Sequence, residues 1–252
     1  MSENRVIALL QARCNSSRLP GKVLLPLLGI PMVVQQVRRL NKCRTLEQIQ
    51  VVTSCEKTDD EVERVLRKTG ISVFRGAEDD VLDRFYQSSI PMQPGHVVRL
   101  TGDCPLIDPA VVDQIVEYHL AHDLDYTSNV DPPTWPDGLD VEVMRFSVLE
   151  EAWQIAEERF DREHVTPFIH KNKDRYRCGN VVNPRGDQSG MRWTVDEPED
   201  YELVKAIYED LHAECPEFGT EGILKWLSKN PDWAAINSHH QRNAQCTERV
   251  DG

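Results

Sequence analysis

The chain has 252 residues, is 40% hydrophobic and carries a formal net charge of −13. This length suits one enzyme-sized α/β unit, and so acidic a chain lacks the basic face that general binders of nucleic acid or membrane surfaces need. No segment approaches the ~18 apolar residues of a membrane span, and the N-terminal apolar run is too short for a signal peptide. The seven cysteines are odd in number and lack zinc-site spacing. We therefore expect a soluble cytoplasmic protein with no nucleic-acid or membrane partner.

In the first half of the chain, short aliphatic runs alternate with longer segments of helical period. This pattern predicts β-α-β units around a largely parallel sheet. The predicted strands are 6–10, 49–53, 71–74 and 97–100. The predicted helices are 32–40, 59–68, 79–88 and 109–122.

The pattern changes after Asp123, where proline and turn residues become frequent. We expect one nucleotidyltransferase-sized domain over 1–237, with an inserted lobe at about 124–190 and a flexible polar tail at 238–252. The elements predicted beyond Asp123 are an exposed antiparallel strand at 140–144, helices at 148–159 and 162–171, a strand at 178–183, a return to the main sheet at 191–196 and a helix from Pro198.

A cationic loop, "QARCNSSRLPGK", follows the first predicted strand and carries Arg13, Arg18 and Lys22. Loops at the carboxyl edge of a parallel sheet form the ligand-binding crevice, and guanidinium and ammonium groups bind phosphate oxygens. The alternative is a solvated surface loop, but the strand-end position and the Gly21–Lys22 step favour a triphosphate. Neither G-x-x-x-x-G-K-[ST] nor G-x-G-x-x-G occurs, which argues against a P-loop ATPase and a Rossmann dehydrogenase.

Two aspartates follow other predicted strands, Asp103 in "TGDCP" and Asp196 in "WTVDEP". Each could simply cap the next helix. Mg²⁺, however, takes one or two protein carboxylates together with substrate phosphates, so two strand-end aspartates beside a cationic loop favour a metal site.

Five segments, in the order "QARCNSSRLPGK", "TGDCPLIDP", "DVEVM", "REHVTP" and "WTVDEPED", carry a family resemblance over about 5–226. They resemble the cytidylyltransferases of the spore-coat polysaccharide and acylneuraminate type, relatives of CMP-sialic acid and CMP-Kdo synthetases. Asn15 and Ser17 stand where that family usually has glycine and threonine; asparagine tolerates left-handed backbone and serine keeps the hydroxyl. The resemblance implies a three-layer α/β/α nucleotidyltransferase fold, like that of nucleotide-diphospho-sugar transferases, with a Rossmann-like mixed sheet and an inserted arm.

The resemblance also implies an activity and a metal. We expect the anomeric hydroxyl of a sugar acid to attack the α-phosphorus of CTP and to displace pyrophosphate, with Mg²⁺ held by Asp103 and Asp196. The expected catalytic residues are these two with Arg13 and Lys22, whose positive charges would balance the leaving group. A homodimer is expected from the family arm and from an apolar excursion containing Trp135.

Most of the predicted substrate-binding residues lie in the same segments; Leu10, Arg75 and Asn129 lie outside them. The predicted nucleotide-binding residues are Leu10, Gln11, Ala12, Arg13, Ser17, Arg18, Lys22, Arg75 and Thr101. Arg75 would meet the base, although it could equally pair with Asp79 or Asp80. The predicted sugar-binding residues are Asn129, Asp140, Glu142, Glu163 and His164, and the alternative for these is a solvated strand face and a surface histidine.

Three other functions stay open at this point. A sugar-1-phosphate nucleotidylyltransferase would use the same fold, a glycosyltransferase would use a preformed nucleotide sugar, and a non-catalytic regulator would bind CTP without turnover. His239 and His240 look like a metal pair, but no carboxylate or cysteine is expected beside them, so we predict no metal there.

Overall fold

Within residues 4–242, which the computed structural model describes, seven strands form the central sheet. Its order is β5-β4-β1-β6-β8-β7-β9, and two short strands pair separately. The strands are β1 (Val6–Gln11), β2 (Pro26–Leu27), β3 (Ile30–Pro31), β4 (Gln48–Ser54), β5 (Val73–Gly76), β6 (His96–Thr101), β7 (Tyr126–Ser128), β8 (Glu142–Arg145) and β9 (Cys178–Asn180). Strand β8 is antiparallel to both of its neighbours, whereas the other pairs in this sheet are parallel.

Helices cover both faces of the sheet. Those of the described residues are α1 (Met32–Leu40), α2 (Asp60–Lys68), α3 (Val81–Ser89), α4 (Pro109–Ala121), α5 (Phe146–Ile155), α6 (Arg159–His164), α7 (Pro167–Lys171), α8 (Pro198–Glu214), α9 (Thr220–Lys229) and α10 (Pro231–Ala235). Strand β1 is aliphatic on both sides because each side meets a helical layer. Its Ala8 and Leu10 pack with α1, α4 and α8, and its Ile7 and Leu9 pack with α3, α5 and α7. The predicted three-layer α/β/α mixed-sheet architecture is confirmed.

The second half of the sheet differs from the sequence prediction. The strand predicted as exposed at 140–144 is the interior strand β8, where Val143 and Met144 are fully buried. Residues 191–196 do not return to the sheet; Arg192 forms one isolated bridge to Asp137. The segment 124–190, predicted as a lobe, supplies β7, β8 and β9 to the central sheet. Short strands separated by proline-rich turns carry a weak periodic signal, which explains the difference.

The carboxyl ends of β1 and β6 lie side by side at the edge of the sheet where the cationic loop begins. Gln11 is in register with Thr101, and the next residue, Gly102, donates its N–H to the Gln11 carbonyl at 2.7 Å. A Cβ at Gly102 would lie 2.9 Å from the Cβ of Ala12, so glycine permits this close approach. The cationic loop therefore starts directly beside Asp103. No helix in the described range 4–242 is long and apolar enough to span a membrane.

Candidate active site

Lys22 joins the two predicted metal ligands. Its Nζ donates to Oδ2 of Asp103 at 3.0 Å and to Oδ1 of Asp196 at 2.6 Å. The lysine is 7% exposed, and the two carboxylates are partly exposed. The structure thus brings together the cationic loop and both aspartates, which lie far apart in sequence.

Backbone contacts fix this convergence. Gly21 adopts φ +70°, a left-handed conformation that favours glycine, and it starts the 3₁₀ turn that carries Lys22. Asp103 is the second residue after β6, and its carbonyl accepts a hydrogen bond from the N–H of Val195 at 2.8 Å. This bond attaches the irregular segment 191–196 to the end of β6, so Asp196 reaches the site without belonging to the sheet.

The buried side chain of Arg192 orients the carboxylate of Asp196. Arg192 contacts Asp137 and Asp196 at 3.1 Å each, and its Nε lies 2.9 Å from Asp200. Asp200 is fully buried at the start of α8 and accepts the N–H groups of Asp196 and Glu197, both at 2.9 Å. A carboxylate at a helix N-terminus satisfies otherwise open donors and suits the helix dipole. Asp200 therefore fixes the backbone that presents Asp196.

Lys22 and its carboxylate partners stabilise each other's charged forms. Burial alone would raise the pKa of Asp103, but the Lys22 ammonium and hydrogen bonds from Thr101 and Lys22 lower it to about 2. Burial opposes the charge on Lys22, but Asp103 and Asp196 together raise the pKa of the ammonium above its ordinary value. Asp103 therefore remains ionised at neutral pH and is available to a metal.

The donor set fits a hard divalent cation. One oxygen of Asp103 and one of Asp196 contact the same cation, the Lys22 ammonium, which lies between the two carboxylates. Two carboxylates plus substrate phosphate oxygens form the kind of ligand set that Mg²⁺ takes in proteins. The second oxygen of Asp196 is held by Arg18 and Arg192, each at 3.1 Å.

Two adjoining cavities open at this edge of the sheet. The smaller, of about 240 Å³, lies over the cationic loop, and its lining includes Gln11, Arg13, Ser17, Arg18, Lys22 and Thr101. The larger, of about 460 Å³, extends toward β8 and α6, and its lining includes Arg99, Asp140, Glu142, His164, His170 and Arg192. Both are lined by Arg18, Thr101, Asp103 and Asp196. The acidic pair therefore stands where two bound substrates would meet.

The larger cavity contains a polar cluster around Glu142. Arg99 and the Tyr126 hydroxyl both donate to its carboxylate, and His170 Nε2 lies 3.2 Å from that hydroxyl. Burial would raise the pKa of Glu142, but Arg99 and hydrogen bonds from His170 and Tyr126 lower it to about 2. Such a fixed array of charges and donors suits a ligand rich in hydroxyl groups and carrying a charge.

Comparisons with known proteins agree with this geometry. A family model described as "Cytidylyltransferase" matches residues 7–216. The chain belongs to the cytidylyltransferase family. It is 33% identical over 242 residues to the spore coat polysaccharide biosynthesis protein SpsF of Bacillus subtilis, covering 92% of this chain and 97% of that protein. The resemblance noted in the five sequence segments is confirmed, and the chain is a nucleotidyltransferase.

Solved structures share the fold. A cytidylyltransferase from Leptospira borgpetersenii superposes with a TM-score of 0.85 at 31% identity, covering 94% of this chain and 98% of that one. A CMP:2-keto-3-deoxy-manno-octonic acid synthetase complexed with CTP superposes with a TM-score of 0.63, covering 81% of this chain and 98% of that one. At 20% identity, the second likeness shows the fold alone.

Two predicted binding residues of this cytidylyltransferase need correction. Arg75 bonds Asp60 and Glu63 on α2, both at 2.7 Å, and among the described residues it lines neither of the two cavities. It pairs with these carboxylates rather than with Asp79 or Asp80. Asn129 is fully buried, donates to the Leu139 carbonyl and accepts from the Val141 N–H, so its amide supports the backbone before β8.

Other predictions have mixed outcomes. Leu10 and Ala12 are buried beneath the small cavity, so only their backbone groups could meet a nucleotide. Asp140, Glu142 and His164 line the large cavity; Glu163 does not appear in the lining of either cavity. Trp135 is 4% exposed and its indole N–H donates to the Val181 carbonyl, so it is not the exposed apolar residue expected to drive dimerisation.

Sequence reasoning missed several residues of the site. Arg99 lies within buried strand β6, and a charged residue in an otherwise aliphatic strand is a signal that could have found it. Three further residues lie in irregular segments or at a helix start: Asp137, Arg192 and Asp200. Charged residues at such positions are usually solvated or cap a helix, so the sequence alone did not single them out. Their contribution depends on contacts across the chain.

The structure places a carboxylate beside His239 and His240, contrary to the sequence prediction. Glu199, in the first turn of α8, lies beside both imidazoles, and its carboxylate is 3.6 Å from Nε2 of His240. The prediction that no carboxylate accompanies this pair is therefore wrong. Most of the predicted tail, 243–252, lies outside the described residues, but Arg242 donates to the Trp135 carbonyl and to Asp140.

Proposed function

We propose that this cytidylyltransferase transfers CMP from CTP to the anomeric hydroxyl of a sugar acid of the nonulosonic or acylneuraminate-like class and releases pyrophosphate. The product would serve surface polysaccharide biosynthesis. The observation that carries the proposal is the Lys22 ammonium held between Asp103 and Asp196 at the boundary of two cavities. Its similarity to a spore coat polysaccharide biosynthesis protein and to a CMP:2-keto-3-deoxy-manno-octonic acid synthetase complexed with CTP supports the proposal.

The smaller cavity would take the nucleotide. Arg13, Arg18 and Lys22 line it, so three cations are available to a triphosphate chain and to the charge that grows on leaving pyrophosphate. Lys22 would exchange part of its contact with the aspartates for phosphate oxygens. The Ser17 hydroxyl and the backbone near Gln11 would add donors and acceptors.

The larger cavity would take the acceptor. Its lining includes the guanidinium groups of Arg18, Arg99 and Arg192, which can meet the carboxylate that distinguishes a sugar acid from a neutral sugar. Glu142, with Asp140 and His164, would accept and donate hydrogen bonds to sugar hydroxyls. The attacking hydroxyl would lie near Asp103 and Asp196, which line both cavities.

Mg²⁺ is the cofactor we propose, held by Asp103 and Asp196. When bound, it would lower the pKa of the attacking hydroxyl and neutralise charge on the transferred phosphoryl group. The chain's own part is to hold both carboxylates in the correct orientation. Lys22, Arg18 and Arg192 do this through the contacts described above.

A pyrophosphate-release assay tests the proposal. The purified protein is incubated with MgCl₂, one of the four common ribonucleoside triphosphates and a panel of free sugar acids, sugar 1-phosphates and neutral sugars. We expect release with CTP and a sugar acid together, and none with either alone. Release only with sugar 1-phosphates would establish the alternative nucleotidylyltransferase; CTP binding without release from any acceptor would favour a regulator.

We also propose that the enzyme acts in the cytoplasm as a homodimer. The six cysteines of the described residues form no disulfides, in keeping with a reducing compartment. The dimer rests on the family resemblance, because Trp135 no longer supports it. Light scattering at micromolar concentration should give twice the chain mass, and a monomeric mass would refute the dimer.

A further inference from the structure

Two histidines and a glutamate form a cluster of metal-binding side chains outside the two cavities. Glu199 lies in the first turn of α8, and His239 and His240 lie in the turn that follows α10. One carboxylate oxygen and one ring nitrogen of each imidazole lie within 4.8 Å of one another. Within residues 4–242, no other group of three histidine, cysteine or acidic side chains brings its donor atoms this close together.

The donor atoms of this histidine–glutamate cluster have few other partners. Nε2 of His240 is buried and has no hydrogen-bond partner among the described residues. The side chain of Glu199 is 43% exposed, and its only ion-pair partner in the same part of the chain is His240. A buried polar nitrogen without a partner is unfavourable, so a ligand that contacts this nitrogen is favoured.

The spacing of the cluster suits a metal ion better than a hydrogen bond. Nε2 of His240 and Oε2 of Glu199 are 3.6 Å apart, which is too far for a hydrogen bond. Two ligands that each lie about 2.1 Å from a tetrahedral zinc ion are about 3.4 Å from one another. His239 is exposed, so rotation of its side chain can bring the third donor to the same distance, and an ion can enter from solvent.

The two parts of the cluster are already attached to each other. Asn237 is buried, and its side-chain amide donates to Asp200 at 2.8 Å and to the Arg192 carbonyl at 2.9 Å. Asp200 is the neighbour of Glu199 in α8, and the His240 N–H donates to the Asn237 carbonyl at 3.1 Å. The turn is therefore fixed at the start of α8 before any ion binds, which lowers the cost of ordering the ligands.

We propose that Glu199, His239 and His240 form a second metal site, which takes a divalent transition ion of the zinc type. Two imidazole nitrogens and one carboxylate oxygen are a ligand set that Zn²⁺ takes, with its fourth position open to water. Mg²⁺ takes oxygen ligands, so this site differs in chemistry from the pair of Asp103 and Asp196. The site goes beyond the proposed function, because its three ligands line neither of the two cavities.

The position of the site in the chain gives the ion a structural role. Gln241, the next residue, lines the large cavity. Arg242 donates to the Trp135 carbonyl at 3.1 Å and to the carboxylate of Asp140. An ion in the histidine–glutamate cluster therefore holds residues 239–242 against α8 at the rim of the large cavity.

Zinc binding by the full chain tests the site. Metal-free protein is titrated calorimetrically with ZnSO₄ in the presence of a reducing agent, with excess MgCl₂ to occupy sites made of oxygen ligands. We expect the wild type to bind a Zn²⁺ ion that Glu199→Gln, His239→Gln and His240→Gln each bind roughly 100-fold more weakly, since even partners outside the ligand shell contribute 10- to 100-fold. His212→Gln, near the C-terminal end of the same helix, is the control and should bind as the wild type does.

Three results would overturn the assignment. Absence of zinc binding to the wild type would exclude the site. Undiminished binding in all three variants would place the ion elsewhere on the protein. Weak binding in the two histidine variants with full affinity in Glu199→Gln would show an adventitious pair of surface histidines and not a three-residue site.

Hydrogen exchange measured by mass spectrometry tests the structural role. With zinc at about 100 times its Kd, opening of the segment 236–242 should be suppressed by up to about 100-fold in the wild type and in His212→Gln. The three ligand variants should show no such protection. Unchanged exchange in zinc-saturated wild type would overturn the structural role. Neither experiment uses CTP or an acceptor, so both outcomes are independent of the proposed transfer.

Discussion

Nζ of Lys22 lies 2.6 Å from Oδ1 of Asp196, although 174 positions separate the two residues in the chain. The same nitrogen contacts Asp103, so one ammonium compensates two carboxylates at the edge of the sheet. Without it, the carboxylates of Asp103 and Asp196 would face each other in a partly buried site with no ammonium between them, which is unfavourable. The loop after β1 therefore contributes both to the proposed metal site and to the proposed phosphate-binding site.

Replacing Lys22 by methionine should decrease the rate of pyrophosphate release by roughly 100-fold or more, because the variant loses a charge aligned with the leaving group. Initial rates with saturating CTP and acceptor measure the effect. Lys42→Met is the matched control, since Lys42 forms an exposed pair with Glu217 away from both cavities. A Lys22→Met enzyme within threefold of the wild-type rate would exclude this role.

Replacing Glu142 by glutamine should weaken acceptor binding selectively. The substitution removes the charge that orients Arg99 and replaces one of the two oxygens that accept from Arg99 and the Tyr126 hydroxyl with an amide donor, while keeping the size of the side chain. We expect KM for the sugar acid to rise roughly tenfold, as is typical when a polar subsite loses its partner. CTP affinity, measured by calorimetry, should stay unchanged because Glu142 does not line the nucleotide cavity. A fall in CTP affinity with an unchanged acceptor KM would reverse the assignment of the cavities.

Gly138 should tolerate no side chain. Its φ is +107°, and a Cβ there would lie 2.6 Å from the backbone nitrogen of Thr194. Gly138→Ala should therefore cost about 3 kcal/mol in the free energy of unfolding, from strain and overpacking together. Gly190→Ala is the control, because nothing lies within 4 Å of its Cβ position, and it should change stability by less than about 0.5 kcal/mol. Equal urea midpoints for the two variants would show that the backbone at Gly138 yields.

A buried histidine pair should make the fold sensitive to acid. Nδ1 of His96 lies 2.9 Å from Nε2 of His119, whose Nδ1 lies 2.8 Å from the Thr127 hydroxyl. Burial, followed by repulsion from His96 and Arg145, lowers the pKa of His119 from 6.5 to about 3. Below pH 6.5 the unfolded chain binds a proton at His119, whereas the native state does not bind that proton until about pH 3. The folded state therefore loses stability relative to the unfolded state as pH falls through this window.

The expected slope is about 1.4 kcal/mol per pH unit for this one group. Urea unfolding at pH 7.5 and pH 5.0 measures it in the wild type and in His119→Gln, which cannot titrate. The wild type should lose about 2 kcal/mol more than the variant between these two pH values. The same loss in both proteins would show that His119 does not titrate as argued.

The first half of the fold and most of the proposed nucleotide site could be predicted from sequence. Long aliphatic strands such as β1 and β6 carry a strong pattern, and the sheet topology then places Lys22 and Asp103 at the same edge. Asp196 also reaches that edge, although through an irregular segment and not through a strand. The convergence of these three residues was thus predictable because each of them adjoins a regular element.

The rest depended on tertiary contacts that local pattern does not encode. Arg75 has the strand-end position expected for base binding, but two carboxylates on α2 compete for it. Asn129 has a side chain of the kind that binds sugar hydroxyls, but its amide forms hydrogen bonds to the backbone before β8 instead.

Magnesium-dependent binding of CTP tests the central claim most directly. Calorimetric titration of CTP with and without MgCl₂ is carried out on the wild type, Asp103→Asn and Asp196→Asn, with the exposed Asp187→Asn as control. We expect Mg²⁺ to strengthen CTP binding to the wild type and the control by roughly tenfold or more, as a charge-neutralising metal bridge should. Both site variants should lose that enhancement and keep the native fold by circular dichroism. Undiminished enhancement in Asp103→Asn and Asp196→Asn would contradict a shared metal site at these two carboxylates.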